Sequence, residues 1–288
     1  MKSTISNFSQ AFLLVILLFS FGKTVAQEKV PRLLLRVDDI GMNHSTNMAL
    51  KQLAATGMRF SAPVMTPCPW FQEAVEILKA NPQIAVGVHL TLNSEWKNYR
   101  WGPVLGNEAV PSLVAQDGYF HPSTSAFLES EYSLDEVRNE LDAQIQKAIS
   151  SGLNVVFVDF HMRTAVATPE LEQITIELAH KYGLKRSMRM DETYKTMYNV
   201  APEEKATQFL QYVKNELDPE KVNLIINHVA VANPEMKALV DMNNTDQHNE
   251  EIPVVANHRE AELNTLLSVE FQQMIKEGKI KLVNYSDL

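Results

Sequence analysis

The amino-acid sequence predicts an α/β protein folded as a closed or nearly closed (β/α) barrel of about seven parallel strands. Strand and helix patterns alternate along the chain, and the predicted strands are short, continuously apolar runs. Strands of that kind are covered on both faces, as in a parallel sheet with crossover helices. The number of such units matches the size of one barrel, which often reaches roughly 250 residues.

The predicted elements follow one another without a linker or an internal repeat. Apolar residues at helical spacing distinguish the helices from the strands. The strands are predicted at 32–37, 58–65, 84–92, 155–158, 184–188, 222–226 and 280–283, and the helices at 47–53, 71–79, 134–149, 170–180, 203–217 and 260–275. Residues 93–133 are too many for a plain connection, so we expect them to be functional or to carry small elements of their own.

Residues 1–26 are predicted to be a signal peptide, and residues 27–288 a single barrel domain. Lys2 supplies a positive start, an uncharged apolar run occupies 11–21, and small residues precede a cut after Ala26. The run is shorter than the roughly 20 residues that span a bilayer. The alternative is an uncleaved N-terminal anchor. We therefore expect an exported protein, periplasmic or extracellular, with no stable membrane insertion after cleavage.

The composition excludes several classes of protein. The chain carries 26 basic and 35 acidic residues, a net charge of −9, whereas nucleic-acid binding leaves a basic footprint. Its hydrophobic share of 45% is too high for a disordered chain. Cys68 is the only cysteine, which excludes a disulfide framework and a multi-cysteine metal site. The composition leaves a homodimer open.

Carboxylates and imidazoles occur at the ends of four predicted strands. In chain order they are Asp38 and Asp39, His89, Asp159 and His161, and His228. The carboxyl ends of parallel barrel strands meet at one face, so these side chains should converge. Such a group predicts a divalent-metal site with a spare acid or base. Taken singly, each has a structural explanation, such as a helix cap for the aspartates or a hydrogen-bonded core position for His89.

The remaining polar and aromatic candidates are less specific. His121, His180 and His248 fall in loop or helix contexts and are predicted to be solvated, as is the acidic pair Glu250 and Glu251. The aromatic residues in 93–133, among them Trp96, Tyr99 and Trp101, have two explanations of equal weight. They form either a core beneath the loop or a platform on which a sugar ring stacks.

Five segments resemble the motifs of the YdjC/ChbG-like carbohydrate deacetylases, a polysaccharide deacetylase-like family. They run in the family's order over nearly the whole chain after the predicted leader. They are Asp38-Asp-Ile-Gly41, Gly87-Val-His-Leu-Thr91, Val158-Asp-Phe-His161, Asn227-His-Val229 and Arg259-Glu-Ala-Glu-Leu263. The resemblance implies a distorted (β/α) barrel, TIM-barrel-like, that removes acetyl groups from N-acetylated sugars in a metal-dependent reaction.

The resemblance also implies roles for single residues. Asp39, His89 and His161 would bind one divalent ion, with zinc, magnesium, manganese, cobalt and iron all left open. Asp38 would be the base that activates the attacking water, and His228 the acid for the leaving amine. The expected partner is a small carbohydrate or oligosaccharide substrate. Four residues are assigned to substrate binding, namely Trp96, Trp101, Arg163 and Arg259.

The chain departs from the family pattern at two places. Met162-Arg163-Thr164 follows His161 where the family often has further histidines, and Val229-Ala230 follows His228 where Pro-Gly is common. Arg163 is predicted to replace the missing histidines as a contact for a sugar oxygen or an acid. Two rival functions stay open, another metal-dependent hydrolase on the same barrel and a non-catalytic exported sugar-binding protein. A purely structural exported protein would leave the convergent strand ends unexplained.

Overall fold

A computed structural model describes residues 29–243 and 254–288. The predicted signal peptide, His248 and the pair Glu250 and Glu251 lie outside these ranges. The strands are β1 (Arg32–Val37), β2 (Ser61–Val64), β3 (Ala85–Leu90), β4 (Val155–Phe160), β5 (Lys185–Arg186), β6 (Thr193–Thr196), β7 (Val222–Asn227) and β8 (Lys281–Val283). The α-helices are α1 (His44–Ala55), α2 (Phe71–Lys79), α3 (Thr124–Leu128), α4 (Leu134–Ser150), α5 (Pro169–Tyr182), α6 (Lys205–Asn215), α7 (Pro234–Lys237), α8 (Val254–Leu267) and α9 (Val269–Lys276).

All the strands pair in parallel in one sheet, in the order β5-β4-β3-β2-β1-β7-β6. β8 also pairs with β1, along Arg32–Leu34, while β2 meets β1 only where Arg36 lies beside Ser61. Since β7 occupies the other edge of β1 over its whole length, β8 and β2 share one edge. No pairing joins β5 to β6 in the part of the chain described, so the barrel is distorted and open there. The predicted fold class is confirmed.

Side chains alternate along each strand between two apolar groups. Leu33, Leu35 and Val37 of β1 pack with the residues of the surrounding helices, whereas Leu34 packs with Phe157 and the other members of a second, smaller group. That second group is drawn from β1, β3, β4, β7, β8 and the residue Tyr285, and it fills the inside of the curled sheet. Because the period of a strand is two, the next inward positions toward the carboxyl ends are residues 36, 87, 159 and 228.

Several predicted elements differ in extent from the observed ones. The helix predicted at 260–275 is two helices, α8 and α9, because the side chain of Ser268 accepts the backbone N–H of Phe271 and starts a new helix. β6 was not predicted, since it is a four-residue strand with polar composition. Asp159 lies within β4 rather than after it. The long segment 93–133 does carry small elements, a 3₁₀ turn at Pro111–Leu113 and the helix α3.

None of the helices in the described ranges has the length and apolar character needed to cross a lipid bilayer.

Gly87 is a packing requirement of the sheet interior. It lies beside Phe157 in the β3–β4 ladder, and a Cβ atom at position 87 would lie 2.5 Å from the Phe157 ring. We expect Gly87→Ala to lower the free energy of unfolding by about 1–3 kcal/mol through overpacking. Urea unfolding of the single variants and of Gly87→Ala combined with Phe157→Leu measures this. The double variant should lose less stability than the sum of the singles, and strict additivity would contradict the packing argument.

Candidate metal centre

The polar side chains at the mouth of the barrel continue the inward-facing rows of apolar residues. On β1 the row runs from Leu34 through Arg36 to Asp38, and on β4 from Phe157 to Asp159. His89 lies opposite Asp159 in the β3–β4 ladder. The strands thus place these groups at one end of the barrel without any loop rearrangement. The convergence predicted from the strand ends is what the structure contains.

Asp39 reaches the same space by an unusual backbone conformation. Its φ angle is +62°, in the left-handed region that costs a non-glycine residue on the order of 1 kcal/mol. The turn is fixed on its far side, because Asn47 accepts the N–H of Gly41 and Asn43 caps α1 at Thr46. The turn directs both Asp38 and Asp39 into the cavity, although the two residues are adjacent in the chain.

Three potential metal ligands surround one point. The Oδ1 atom of Asp39 lies 3.4 Å from Nε2 of His89 and 3.2 Å from Nδ1 of His161. Asp39 Oδ1 is buried and accepts no well-aligned hydrogen bond in the described residues. Two imidazole nitrogens and a carboxylate oxygen form a donor set that suits zinc, iron, cobalt or manganese. The residues therefore fit a divalent ion.

A second group, Asp38, His89 and Asp159, also has the spacing of a metal site. The guanidinium of Arg36 binds both of its carboxylates, with Nη2 to Asp38 Oδ2 at 2.7 Å and Nη1 to Asp159 Oδ1 at 2.5 Å. A cation already occupies the space between these two acids. The set with Asp39 is therefore the better candidate.

Each histidine is oriented by a carboxylate on its other nitrogen. Nδ1 of His89 lies 2.9 Å from Asp159 Oδ2, and Nε2 of His161 lies 3.0 Å from Glu95 Oε2. Such contacts fix the ring and leave the opposite nitrogen free for a metal. Asp39 is held in the same way, because Nη2 of Arg259 donates to its Oδ2 atom at 2.6 Å and leaves Oδ1 free.

The electrostatics of the three groups favour a cation. Burial alone disfavours the imidazolium of His89, but its close contacts with the carboxylates of Asp159 and Asp39 outweigh burial and raise the pKa to about 9. Burial is likewise outweighed at His161, where Glu95 and Asp39 raise the pKa to about 10. Burial raises the pKa of Asp39, but Arg259 and the two histidines together hold it well below its usual range. A positive charge is stabilised here, whether carried by protons or by a metal.

Asp38 and His228 lie next to the three ligands. Arg36 donates two hydrogen bonds of 2.7 Å to Asp38, so the carboxylate of Asp38 is held in one orientation. Nε2 of His228 lies 4.0 Å from Asp38 Oδ2, and its side chain is 26% exposed. Burial against the barrel lowers the pKa of His228 to about 4, so the imidazole is neutral at neutral pH. Glu262 accepts the backbone N–H of His228 at 2.7 Å and fixes its loop.

Two adjoining cavities open above these residues. The site cavity, of about 480 Å³, is lined by Asp38, Asp39, His89 and His161. The side cavity, of about 490 Å³, is lined by Lys205, His258 and Glu262. Trp96, Tyr198, Asn199, His228, Asp241 and Arg259 line both. Together they have the size of a pocket for a small organic molecule.

The four residues assigned to substrate binding occupy different places. Trp96 lines both cavities, but it is 3% exposed and the guanidinium of Arg259 lies 5.6 Å above its ring. Arg259 is committed to Asp39, as described above. Arg163 is exposed in the wall of the site cavity. Trp101 is buried behind the site, where its indole N–H donates to the Asn93 carbonyl and its ring meets His161 edge-on.

Two exposed aromatic rings that face the cavities were not singled out from the sequence. Tyr194 is 53% and Tyr198 54% exposed, and both line the site cavity. Phe120 and Trp101 are core residues, and Tyr119 is exposed away from the cavities. The loop-core explanation therefore accounts for most rings of 93–133. No pattern in the sequence pointed to these tyrosines, because they belong to the unpredicted strand β6 and the residues after it.

Three further residues of the site were not singled out from the sequence. Arg36 and Glu95 are the partners of Asp38 and His161, and Glu262 fixes His228. Arg36 could have been recognised from the sequence, because a charged residue within a continuously apolar strand requires a buried partner. Glu262 could also have been recognised, because it lies in the segment Arg259–Leu263 that resembles the family motif. Glu95 lies in a loop without a distinguishing pattern.

Comparison with known proteins extends over almost the whole chain. A family model described as YdjC-like protein matches residues 32–277. A carbohydrate deacetylase of Enterococcus faecalis is 30% identical over 271 residues, which cover 89% of this chain and 98% of the relative. A carbohydrate deacetylase of Thermoanaerobacter pseudethanolicus is 26% identical over 267 residues, again covering 89% and 98%.

Solved structures show the same fold. One from Enterococcus faecalis V583, described as a candidate cellobiose-phosphate cleavage protein, superposes with a TM-score of 0.68 at 28% identity and covers 89% of this chain and 98% of its own. A peptidoglycan N-acetylglucosamine deacetylase has a TM-score of 0.51 at 12% identity, covers 90% and 87%, and shows the fold alone.

Fold and site together define a distorted parallel barrel with an Asp–His–His candidate metal centre at the carboxyl ends of its strands. Within that class, the chain belongs to the YdjC-like family. The resemblance drawn from the five motifs is thereby confirmed.

We expect the purified protein to hold about one divalent ion per chain and His89→Ala to lose it, because His89 supplies one of three ligand atoms. Metal content by plasma mass spectrometry, with circular dichroism to establish folding, measures this. His180→Ala is the matched control, since His180 is exposed on α5. Full metal content in folded His89→Ala, or none in the wild type under any loading, would remove the assignment.

Proposed function

We propose that this protein hydrolyses the acetamido group of N-acetylated sugars or oligosaccharides with the help of one divalent metal ion. The observation that carries the proposal is the free Asp39 Oδ1 atom between two oriented imidazoles, with Asp38 beside it at the floor of an open cavity. The curated relatives are named carbohydrate deacetylases, and the chain is accordingly a hydrolase of the deacetylase type.

In the proposed reaction, different residues bind the metal ion and accept the proton of the attacking water. A divalent ion held by Asp39, His89 and His161 would polarise the amide carbonyl and lower the pKa of a water molecule. Asp38 accepts the proton of the attacking water, because its carboxylate lines the cavity and Arg36 fixes its direction. Asp38 is the base rather than a metal ligand, because its carboxylate is already paired with the guanidinium of Arg36.

The proton must then reach the leaving nitrogen. The water oxygen bonds to the acetyl carbon, the carbon–nitrogen bond breaks, and the amine takes the proton that Asp38 received. His228 lies 4.0 Å from Asp38 and begins as a neutral imidazole, so it acts as a relay that takes this proton and passes it on. The products are acetate and an amino sugar.

The sugar ring is bound by the exposed tyrosines. Tyr198 lies on the boundary of the two cavities, with its ring edge-on to His228 at 6.4 Å between centroids. Flat ring faces suit the apolar face of a sugar. A sugar stacked there would have its acetamido group within reach of Asp38 and Asp39.

The proposal includes export of the protein. It is supported by the uncharged run at 11–21 and by the small residues that end at Ala26. Expression of the full chain followed by N-terminal sequencing of the fraction outside the cytoplasm tests it. A mature chain starting at Gln27 is expected, and an intact Met1 in every fraction would contradict it.

Asp38→Asn should retain the metal and lose turnover by a factor of about 10² or more, because an amide cannot accept the proton of the water. The measurement is acetate release from N-acetylglucosamine and its oligomers by protein loaded with zinc, manganese or cobalt. Asp135→Asn, on the exposed first turn of α4, is the control and should remain active. Unchanged turnover in Asp38→Asn would assign the base to another group.

Tyr198→Ala should reduce kcat/KM for a sugar substrate about tenfold with little change in melting temperature, because Tyr198 is exposed in the cavity. Trp101→Ala should lower the melting temperature instead, since Trp101 is buried and makes a hydrogen bond. Steady-state kinetics and thermal unfolding of both variants separate these effects. A loss of kcat/KM in Trp101→Ala together with a lower melting temperature in Tyr198→Ala would instead assign sugar stacking to the segment 93–133.

A further inference from the structure

Asp241 differs from the other carboxylates of the two cavities in its pairing. It lines both cavities and is 8% exposed, and in the described residues no basic group lies within ion-pair distance of it. The other carboxylates of the cavity walls each have a basic partner, namely Asp38 and Asp159 with Arg36, Asp39 with Arg259, Glu95 with His161, and Glu262 with Lys205. One negative charge in the shared wall is therefore left for a ligand.

Backbone pairing fixes Asp241 against the loop that supports the candidate metal centre. Asp241 forms an antiparallel bridge with Trp96, and the backbone N–H of Met242 donates to the carbonyl of Glu95 at 2.9 Å. Glu95 is the residue whose carboxylate orients His161. The same short pairing thus positions a metal-ligand partner and the carboxylate of Asp241.

The carboxylate of Asp241 has unused capacity for hydrogen bonds. Its Oδ1 atom accepts the backbone N–H of Asn243 at 2.8 Å, and its Oδ2 atom accepts no hydrogen bond from the part of the chain that the structure describes. An ionised carboxylate can accept about four hydrogen bonds, and its burial is costly until they are made. The charge is felt in the cavity, since burial and the nearby Asp241 raise the pKa of Tyr198.

The lysine and the arginine of the side cavity do not compensate Asp241. Lys205 lies 2.6 Å from Glu262, and Arg259 lies 2.6 Å from Asp39, so each is already neutralised. The charge of Asp241 therefore stabilises a cation at the boundary of the two cavities.

We infer that Asp241 binds the ammonium group of a second, already deacetylated amino sugar, joined to the acetylated sugar whose acetamido group is hydrolysed. The inference rests on the proposed function for the acetylated unit, and it adds the free amine of the neighbouring unit. The two units occupy the two adjoining cavities, on either side of Tyr198. Asp241 then determines substrate specificity and takes no part in bond breaking.

The proposed reaction itself generates the group that Asp241 recognises. Hydrolysis of one acetamido group leaves an amine on that sugar, and the amine is protonated when it is held against a carboxylate. An oligosaccharide that has lost one acetyl group thus becomes a better ligand for removal of the next one.

Binding of three kinds of disaccharide tests the inference. Each joins N-acetylglucosamine, in either order, to a second unit that is glucosamine, glucose or N-acetylglucosamine. They are titrated by calorimetry into metal-loaded Asp38→Asn protein so that none is consumed. In at least one order, the glucosamine form should bind roughly 10–100-fold more tightly than the glucose form, the range expected for a charge-assisted hydrogen bond. The advantage should shrink as salt is raised.

Variants in the same background assign the effect to Asp241. Asp241→Asn keeps the shape of the side chain and an oxygen for the Asn243 N–H but removes the charge, so it should abolish the preference for glucosamine. Circular dichroism and metal content establish that this variant is intact. Asp135→Asn is the control, because it removes the same charge from the exposed first turn of α4, and it should keep the preference.

Three results would overturn the inference. The first is equal binding of the glucosamine and glucose forms in both orders, and the second is a preference that survives Asp241→Asn. The third is an equal loss of affinity for all three forms in Asp241→Asn, which would assign Asp241 to sugar hydroxyls instead.

Acetate release by the wild-type protein separates this inference from the proposed function. If no sugar releases acetate while the preference for glucosamine depends on Asp241, the deacetylase proposal fails and the amine site stands. If acetate is released equally well from the glucosamine and glucose forms, and Asp241→Asn changes neither rate, the proposed function stands and the inference fails.

Discussion

A buried guanidinium, that of Arg36, holds the inside of the barrel together at the level of the site. It binds Asp38 and Asp159, and through Ser187 it is linked to the hydroxyl of Tyr285 near the end of the chain. Without this cation, two carboxylates would be buried side by side with only His89 beside Asp159 to compensate them, which is strongly unfavourable. The orientation of the proposed base and of the group behind His89 both depend on it.

The rest of the site repeats the same arrangement with other partners. Each group that faces the candidate metal position is held from behind by an opposite charge or a hydrogen bond: Asp39 by Arg259, His89 by Asp159 and His161 by Glu95. These partners direct one donor atom of each residue toward the candidate metal position and leave the side chains little freedom to reorganise. The raised pKa values of the two imidazoles follow from the same carboxylates.

The proposed substrate-binding wall is built differently, from exposed residues with few fixed partners. Tyr198 and Arg163 lie in cavity walls rather than in the barrel interior. Their positions depend on a short polar strand and on a two-residue left-handed turn. A rigid centre with a variable rim is the usual arrangement in barrels, because the strands set the chemistry and the loops select the substrate.

The sequence by itself determined the parallel barrel, the order of its main elements and the convergence of Asp38, Asp39, His89, His161 and His228, because strand periodicity is a local property and the alternation of strands with helices implies a common strand direction. Only the tertiary structure decided the partners. The contact of His161 with Glu95 joins residues 66 positions apart, and that of Arg259 with Asp39 joins residues 220 apart. No local pattern encodes such pairings, since they depend on how loops and helices pack around the finished sheet.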